Sequence, residues 1–178
     1  MESYKKIKLN KNISMTGFMG SGKSTTGKLL AAKLGFIFVD LDKIIEFYQG
    51  MTIPEIFERY GEKYFRDVET EVIKKIYGNS SCIFACGGGV VLKEENMDII
   101  KKNSTVIFLK VSPDAAYCRL TGSCDRPLLK TGNLKNTISE LISAREDLYE
   151  RYADIIIDTD KISAESVSLE ILSYLENL

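Results

Sequence analysis

The sequence predicts an α/β fold, a three-layer αβα arrangement around a five-stranded parallel sheet. Three observations carry this. Five short, β-branched or aromatic runs alternate along the chain with longer amphipathic segments, most of the runs end near a Gly, Pro or Asp, and a glycine-rich stretch follows the first run directly. In such sheets ligands bind beyond the carboxyl ends of the strands, which is where the glycine-rich segments fall.

The strand candidates are NISMT (12–16), FIFVD (36–40), CIFAC (82–86), TVIFL (105–109) and ADIII (153–157). Helices are expected over 23–34, 42–48, 53–59, 62–77, 93–101, 113–121, 136–150 and 163–176. The breaker-rich segment TGSCDRPLLKTGN (121–133) reads as a mobile loop. At 178 residues and 44% apolar content the chain suits one domain with a full core. Its formal net charge of −1 lacks the basic excess of a protein that neutralises many backbone phosphates, so nucleic acid is not an expected partner. No run has the length of a membrane span and the opening MESYKKIKLNKN has no apolar centre, so a cytoplasmic location is expected. Cys82, Cys86, Cys118 and Cys124 show neither a CxxC pair nor zinc-like spacing and are expected to be free thiols in a reducing compartment. The absence of histidine excludes His-ligated metals, Ser-His-Asp chemistry and an imidazole base. Proton transfer falls to a carboxylate, Lys, Tyr or Cys.

Gly17 to Ser24 fits G-x-x-x-x-G-K-S between a strand and a helical pattern. Successive backbone N–H groups at Gly20, Ser21, Gly22 and onward to Thr25 can converge on phosphate oxygens at a helix N-terminus. Lys23 adds a cation near the β and γ phosphates, and Ser24 offers a hydroxyl to Mg²⁺. The expected ligand is a nucleoside triphosphate, but GTPases, motor ATPases and small-molecule kinases share this loop. No NKxD or DxxG element supports guanine specificity.

The segment FVDLDKIIE places Asp40 and Asp42 two apart, projecting to one side at the end of a strand. One would tend Mg²⁺ through water and the other accept a substrate proton, although Asp42 also suits a helix N-cap. Arg66 and Glu69, three apart in FRDVE, share a helix face and read equally as a surface ion pair. The triple glycine 87–89 opens the backbone to a ligand or makes a tight turn. Arg126, before Pro127 and two leucines, is either a cis arginine finger or a solvated loop residue. Arg66 and Arg145 have the fork geometry that clasps a carboxylate on a small acceptor.

GFMGSGKST, FVDLDKIIE, FRDVE, GGG, RPLL and AREDLYERYAD, in this order, closely resemble the shikimate kinase family, over about residues 12–158. The resemblance implies a nucleoside monophosphate kinase-like P-loop fold with a substrate-binding region at about 42–77 and a lid at about 121–133. It implies ATP and Mg²⁺ as cofactors and phosphorylation of shikimate on the way to chorismate and the aromatic amino acids. Shikimate would be the small-molecule partner of a monomer. Lys23, Asp42 and Arg126 would be catalytic, with Asp42 also holding ring hydroxyls. Arg66 and Arg145 would clasp the carboxylate, Gly87, Gly88 and Gly89 would line the pocket with Gly88 in direct contact, and Asp40 would assist Mg²⁺ beside Ser24. Glu69 would orient neighbouring polar groups. Arg119 would lie near the adenine, with Gly20, Ser21, Gly22, Lys23, Ser24, Thr25 and Arg126 completing the ATP site. Cys86 stands where the family commonly has a small hydroxyl residue, which puts a contact to the metal's water shell in question. The IDTDKISAES region lacks the family's usual adenine-holding pattern. Two rival readings are a gluconate kinase-like enzyme, which has less need of two carboxylate-clasping arginines, and a non-catalytic nucleotide-binding module.

Overall fold

The computed structural model describes residues 11–78, 81–121 and 132–176. Five strands, β1 (Asn12–Thr16), β2 (Ile37–Asp40), β3 (Cys82–Ala85), β4 (Ser104–Lys110) and β5 (Ile155–Asp158), form one sheet in the order β2-β3-β1-β4-β5. Every pairing is parallel. The five expected strands are all present, shifted at their ends by no more than two residues.

The period of two explains the layers. Ile13, Met15, Ile83, Ile107 and Leu109 face one side of the sheet and pack with Leu30 of α1 (Lys23–Leu34) and Ile171 of α7 (Ala164–Glu176). Phe84, Val106 and Phe108 face the other and pack with Ile73 of α3 (Ile53–Ile76), Met97 of α4 (Glu94–Asn103) and Tyr149 of α6 (Gly132–Tyr152). A parallel sheet covered on both faces needs apolar residues at odd and even positions alike, and that is why the strand runs read as continuous apolar stretches.

α3 joins two expected helices, and Gly61, with φ 80 and ψ 174, makes the kink where the sequence breaks them. Its start is a capping box, in which Thr52 and Glu55 bond each other's backbone. α6 starts at Gly132, earlier than expected, and so takes in the end of the segment read as a loop. A 3-10 turn at Val90–Leu92 was not foreseen. The remaining helices are α2 (Leu41–Gln49) and α5 (Pro113–Thr121). Cys82 and Cys86 are buried and outside any disulfide. Cys118 is disulfide-bonded, which corrects the expectation of four free thiols. Its partner, the lid with Arg126, and Cys124 lie outside the described residues.

β1 is the topological switch point: the chain builds β3 and β2 on one side of it and β4 and β5 on the other. The crevice beyond its carboxyl end is therefore the place for a ligand, and the glycine-rich loop enters it. α1 lies so close over the sheet that a Cβ on Gly27 would come within 2.6 Å of the Phe38 ring. Gly27→Val is expected to lower stability by about 1–3 kcal/mol through overpacking, seen as a lower urea midpoint. An unchanged midpoint would show that the ring moves aside freely.

Candidate active site

The loop after β1 is shaped by backbone that side chains disfavour. Gly17 has φ 137, and a Cβ there would sit 2.5 Å from the Leu109 carbonyl oxygen. Gly22, at φ 94, is the N-cap of α1 and supplies no side-chain cap. The first N–H groups of α1 are thus left for an anion, the arrangement by which helix N-termini hold phosphate. Lys23 is the first residue of that helix. Its Nζ turns back to donate to the carbonyls of Gly17 (2.8 Å) and Phe18 (2.9 Å). Burial lowers its pKa to about 8 against the opposing pull of Asp42, Cys86 and Asp40.

A cavity of about 480 Å³ lies over this loop, lined by Lys23, Ser24, Asp40, Asp42, Cys86 and Gly88 among others. Ser24 Oγ donates to Asp40 Oδ2 at 2.9 Å. One hydroxyl and one carboxylate side by side suit Mg²⁺, which keeps much of its water and takes only one or two protein ligands beside phosphate oxygens. Asp40 also caps α2, accepting from Lys43 N at 3.4 Å. The cap is therefore Asp40, against the alternative reading of Asp42 as the N-cap, and Asp42 stands in the first turn of the helix. That turn, together with the strand end, still delivers both carboxylates to one cavity. Burial, followed by the Asp40 charge, raises the pKa of Asp42.

The triple glycine gathers the rest. A Cβ on Gly87 would lie 2.9 Å from Asp42 Oδ1 and 3.1 Å from Glu69 Oε1, and one on Gly89 would lie 2.8 Å from Arg66 Nη1. Arg66 donates to the Gly89 carbonyl at 3.1 Å and pairs with Glu62. Arg145 donates to the Gly88 carbonyl at 3.3 Å. The two arginines, 79 positions apart by their numbers, thus hold adjacent carbonyls of one short segment. Tyr149, buried and stacked on Phe108 at 4.9 Å, donates to the same Gly88 oxygen.

Glu69 is 1% exposed, and burial pushes its pKa up to about 7. Its partner is Asn96 on α4, not a surface cation. Cys86 is buried with its thiol 3.5 Å from Tyr77 Oη, and burial pushes it up to about 12. Arg119, on α5, donates to Gly20 O (3.0 Å), Thr159 Oγ1 (3.1 Å) and the Thr159 carbonyl. It separates the main cavity from a second of about 220 Å³ that Thr25, Thr159 and Ile162 help to line. Every expected site residue that is described falls in or beside this crevice.

Sequence reasoning missed Asn96 and Tyr149. Asn96 has no local signal. For Tyr149 the signal lay in its spacing, since a Tyr four residues after Arg145 shares its helix face.

A glycine-rich loop at a switch point, a hydroxyl and carboxylate suited to Mg²⁺ and two arginines on adjacent carbonyls of the triple glycine define a P-loop kinase of small molecules. The family model described as shikimate kinase matches residues 19–176. The chain is 46% identical over 168 residues to the shikimate kinase of Thermodesulfovibrio yellowstonii, covering 94% of this chain and 96% of that one. The solved shikimate kinase of Acinetobacter baumannii in complex with shikimate is 34% identical, with a TM-score of 0.86 over 94% of this chain and 93% of that one. The chain belongs to the shikimate kinase family. A gluconokinase from Sinorhizobium meliloti matches at 16% identity and a TM-score of 0.63 over 94% of this chain and 92% of that one, a likeness of fold alone.

Two outcomes follow from this geometry. Glu69 carries a raised folded pKa, so the native state binds its proton more tightly than the unfolded chain. Stability is therefore greater below the unfolded value of 4.5 and is lost as pH rises toward about 7. Glu69→Gln should flatten that slope and stabilise the ligand-free protein at pH 8, on the order of 1–3 kcal/mol, as read by thermal unfolding. A variant as pH-dependent as the parent would show that Glu69 is not the group responsible. Tyr149→Phe keeps the ring stack and removes the bond to Gly88. It is expected to raise the KM for the acceptor about tenfold, the value of one hydrogen bond of about 1.5 kcal/mol, and to leave the KM for ATP within about twofold; equal changes in both would sink this assignment.

Proposed function

We propose that the chain transfers the γ-phosphoryl group of ATP to a ring hydroxyl of shikimate, giving shikimate 3-phosphate and ADP for chorismate and aromatic amino-acid biosynthesis. Beyond family membership, the observation that carries this is the pair Arg66 and Arg145 on adjacent carbonyls of the triple glycine, beside the Asp42 carboxylate. An acceptor that is both a carboxylate and a polyol matches two guanidiniums next to buried carboxylates.

The mechanism is positioning followed by charge neutralisation. The backbone N–H groups of Gly20 to Thr25 hold the phosphates, and Arg119 borders the cavity suited to the adenine. Arg66 and Arg145 fix the acceptor carboxylate, and Gly87 to Gly89 lie against its ring. Asp42, with its pKa raised by burial and by Asp40, is better suited to take the hydroxyl proton than an ordinary aspartate would be. Lys23 leaves the Gly17 and Phe18 carbonyls for the transferring phosphoryl group, and Arg126 on the lid supplies a second cation. Mg²⁺, held by Ser24 and through water by Asp40, would neutralise charge on the phosphates when bound.

The same reading treats the chain as one domain acting as a monomer, with its substrate region at about 42–77 and its lid at about 121–133. Use of ATP supports a cytoplasmic location, against which the disulfide at Cys118 stands.

The test is Mg²⁺-dependent ADP release with shikimate, gluconate, nucleoside monophosphates or no acceptor. Release confined to shikimate is expected; release with gluconate alone would overturn the acceptor assignment. Arg126→Ala should lower kcat by about 10³-fold, as arginine fingers do, with the KM for shikimate little changed. Equal loss of both would remove Arg126 from the transfer step.

A further inference from the structure

Behind the triple glycine lies a buried polar group. Glu69, Thr70 and Asn96 are 1%, 2% and 0% exposed. Asn96 Nδ2 donates to Glu69 Oε2 at 3.2 Å. Thr70 Oγ1 is 2.7 Å from Asn96 Oδ1 and 2.9 Å from the Arg66 carbonyl, so its one proton serves two acceptors. Because the threonine hydroxyl donates to Oδ1, the amide of Asn96 is oriented with its NH₂ group toward Glu69. One oxygen of Glu69 is thereby held. The other, Oε1, is buried without a hydrogen-bond partner among the described residues and faces the bare Cα of Gly87, where Asp42 Oδ1 also points.

A buried carboxylate oxygen left unpaired costs stability, and a bound ligand is one partner that can complete such an atom. The hydrogen bond that sets the turn of this carboxylate comes from α4, through Asn96, and not from its own helix. We propose that Asn96 is a positioning residue for acceptor binding: by fixing one oxygen of Glu69 it keeps the other turned to the pocket floor, where a donor on the bound acceptor completes it. This rests on the assignment of the pocket as the shikimate site.

The electrostatic setting supports the same role. Glu69 is faced by Arg66 from its own helix, by Asp42 from α2 and by Lys93 from the start of α4. Tyr77 and Cys86 also feel its charge. With a like charge so near, an unrestrained carboxylate would turn from Asp42 toward the cations. The amide of Asn96 opposes that rotation and favours the ionised form.

Three variants and one spectrum test this. Asn96→Leu keeps the bulk and removes the donor. The KM for shikimate should rise about 10- to 100-fold, the value of a hydrogen bond to a charged group at about 1.5–3 kcal/mol, while the KM for ATP stays within about twofold. Asn96→Asp separates positioning from packing. At about pH 6 the carboxyl introduced by this substitution shares a proton with Glu69 and the link survives, whereas at about pH 8.5 the two carboxylates repel and Glu69 turns away. The shikimate KM of Asn96→Asp should therefore climb with pH relative to the parent, and adding Glu69→Gln should abolish the climb. The inference is overturned by an unchanged shikimate KM in folded Asn96→Leu, by equal rises in both KM values, or by an Asn96→Asp defect independent of pH. If the parent itself turns over no shikimate, the acceptor assignment is what has failed. The Asn96 link is then read by carbon-13 NMR of the Glu69 carboxyl, whose pKa should rise in Asn96→Leu; no rise overturns it.

Discussion

Charge that has lost its water governs the carboxyl edge of this sheet. Lys23, Asp42 and Glu69 are all shifted first by burial, the amine downward and the carboxylates upward. Lys23 is bonded to two carbonyls in place of a carboxylate, and Glu69 is bonded to an amide at one oxygen only. Without ligands, then, the site is a set of incompletely solvated groups that stays in place because the sheet and helices around it are rigid. On the proposed function a triphosphate would return a partner to Lys23, and a hydroxyl-bearing acceptor would return partners to the carboxylates, so that part of the stability given up by burying them would be recovered on binding.

The triple glycine turns that constraint into geometry. Its carbonyls hold Arg66, Arg145 and Tyr149 from outside the strand, and the missing side chains leave room for Asp42, Glu69 and the Arg66 guanidinium inside. A single methyl at Gly87 or Gly89 would displace an ionised group, not merely crowd an apolar one. The 3-10 turn that follows, with Val90 N bonded to Gly87 O at 3.1 Å, locks the segment against the sheet. β3 and the segment after it thus join Asp42 on α2, Arg66 on α3 and Arg145 on α6 to the glycine-rich loop, since Cys86 N bonds Met15 O on β1 at 3.0 Å.

How much of this could be read from residues alone depends on the range of the interaction. α1 was legible to its last residue because Gly22 and Gly35, both in left-handed backbone, punctuate it. The kink in α3 was legible because Gly61 breaks the pattern. Asp40 and Asp42 were legible as a pair, but that Asp40 is the cap was not, because capping depends on where the strand ends, which shifts by one or two residues. Asn96 was not legible at all: its partners lie 26 and 27 residues away, and an Asn in a helix reads as a surface residue until α4 is seen packed on α3. Arg119 was placed beside the adenine, but its bonds to the carbonyls of Gly20 and Thr159 join two loops that no local pattern connects.

The two halves of the site differ in how they are built, and that difference explains what is shared with other kinases of this fold. The phosphate half is mostly backbone, the loop after β1 and the start of α1, with Lys23 and Ser24 added. Backbone geometry survives extensive sequence change, and a gluconokinase at 16% identity shares this fold with a TM-score of 0.63. The proposed acceptor half consists of side chains converging from α2, α3, α4 and α6 on three bare glycines. Three of them are held by partners on other elements, Arg66 and Arg145 by carbonyls and Glu69 by Asn96. Changing the acceptor therefore requires several coordinated substitutions, because altering one leaves its partner buried and unsatisfied. Acceptor identity in this fold should accordingly change in steps, with intermediate sequences that bind nucleotide well and acceptor poorly.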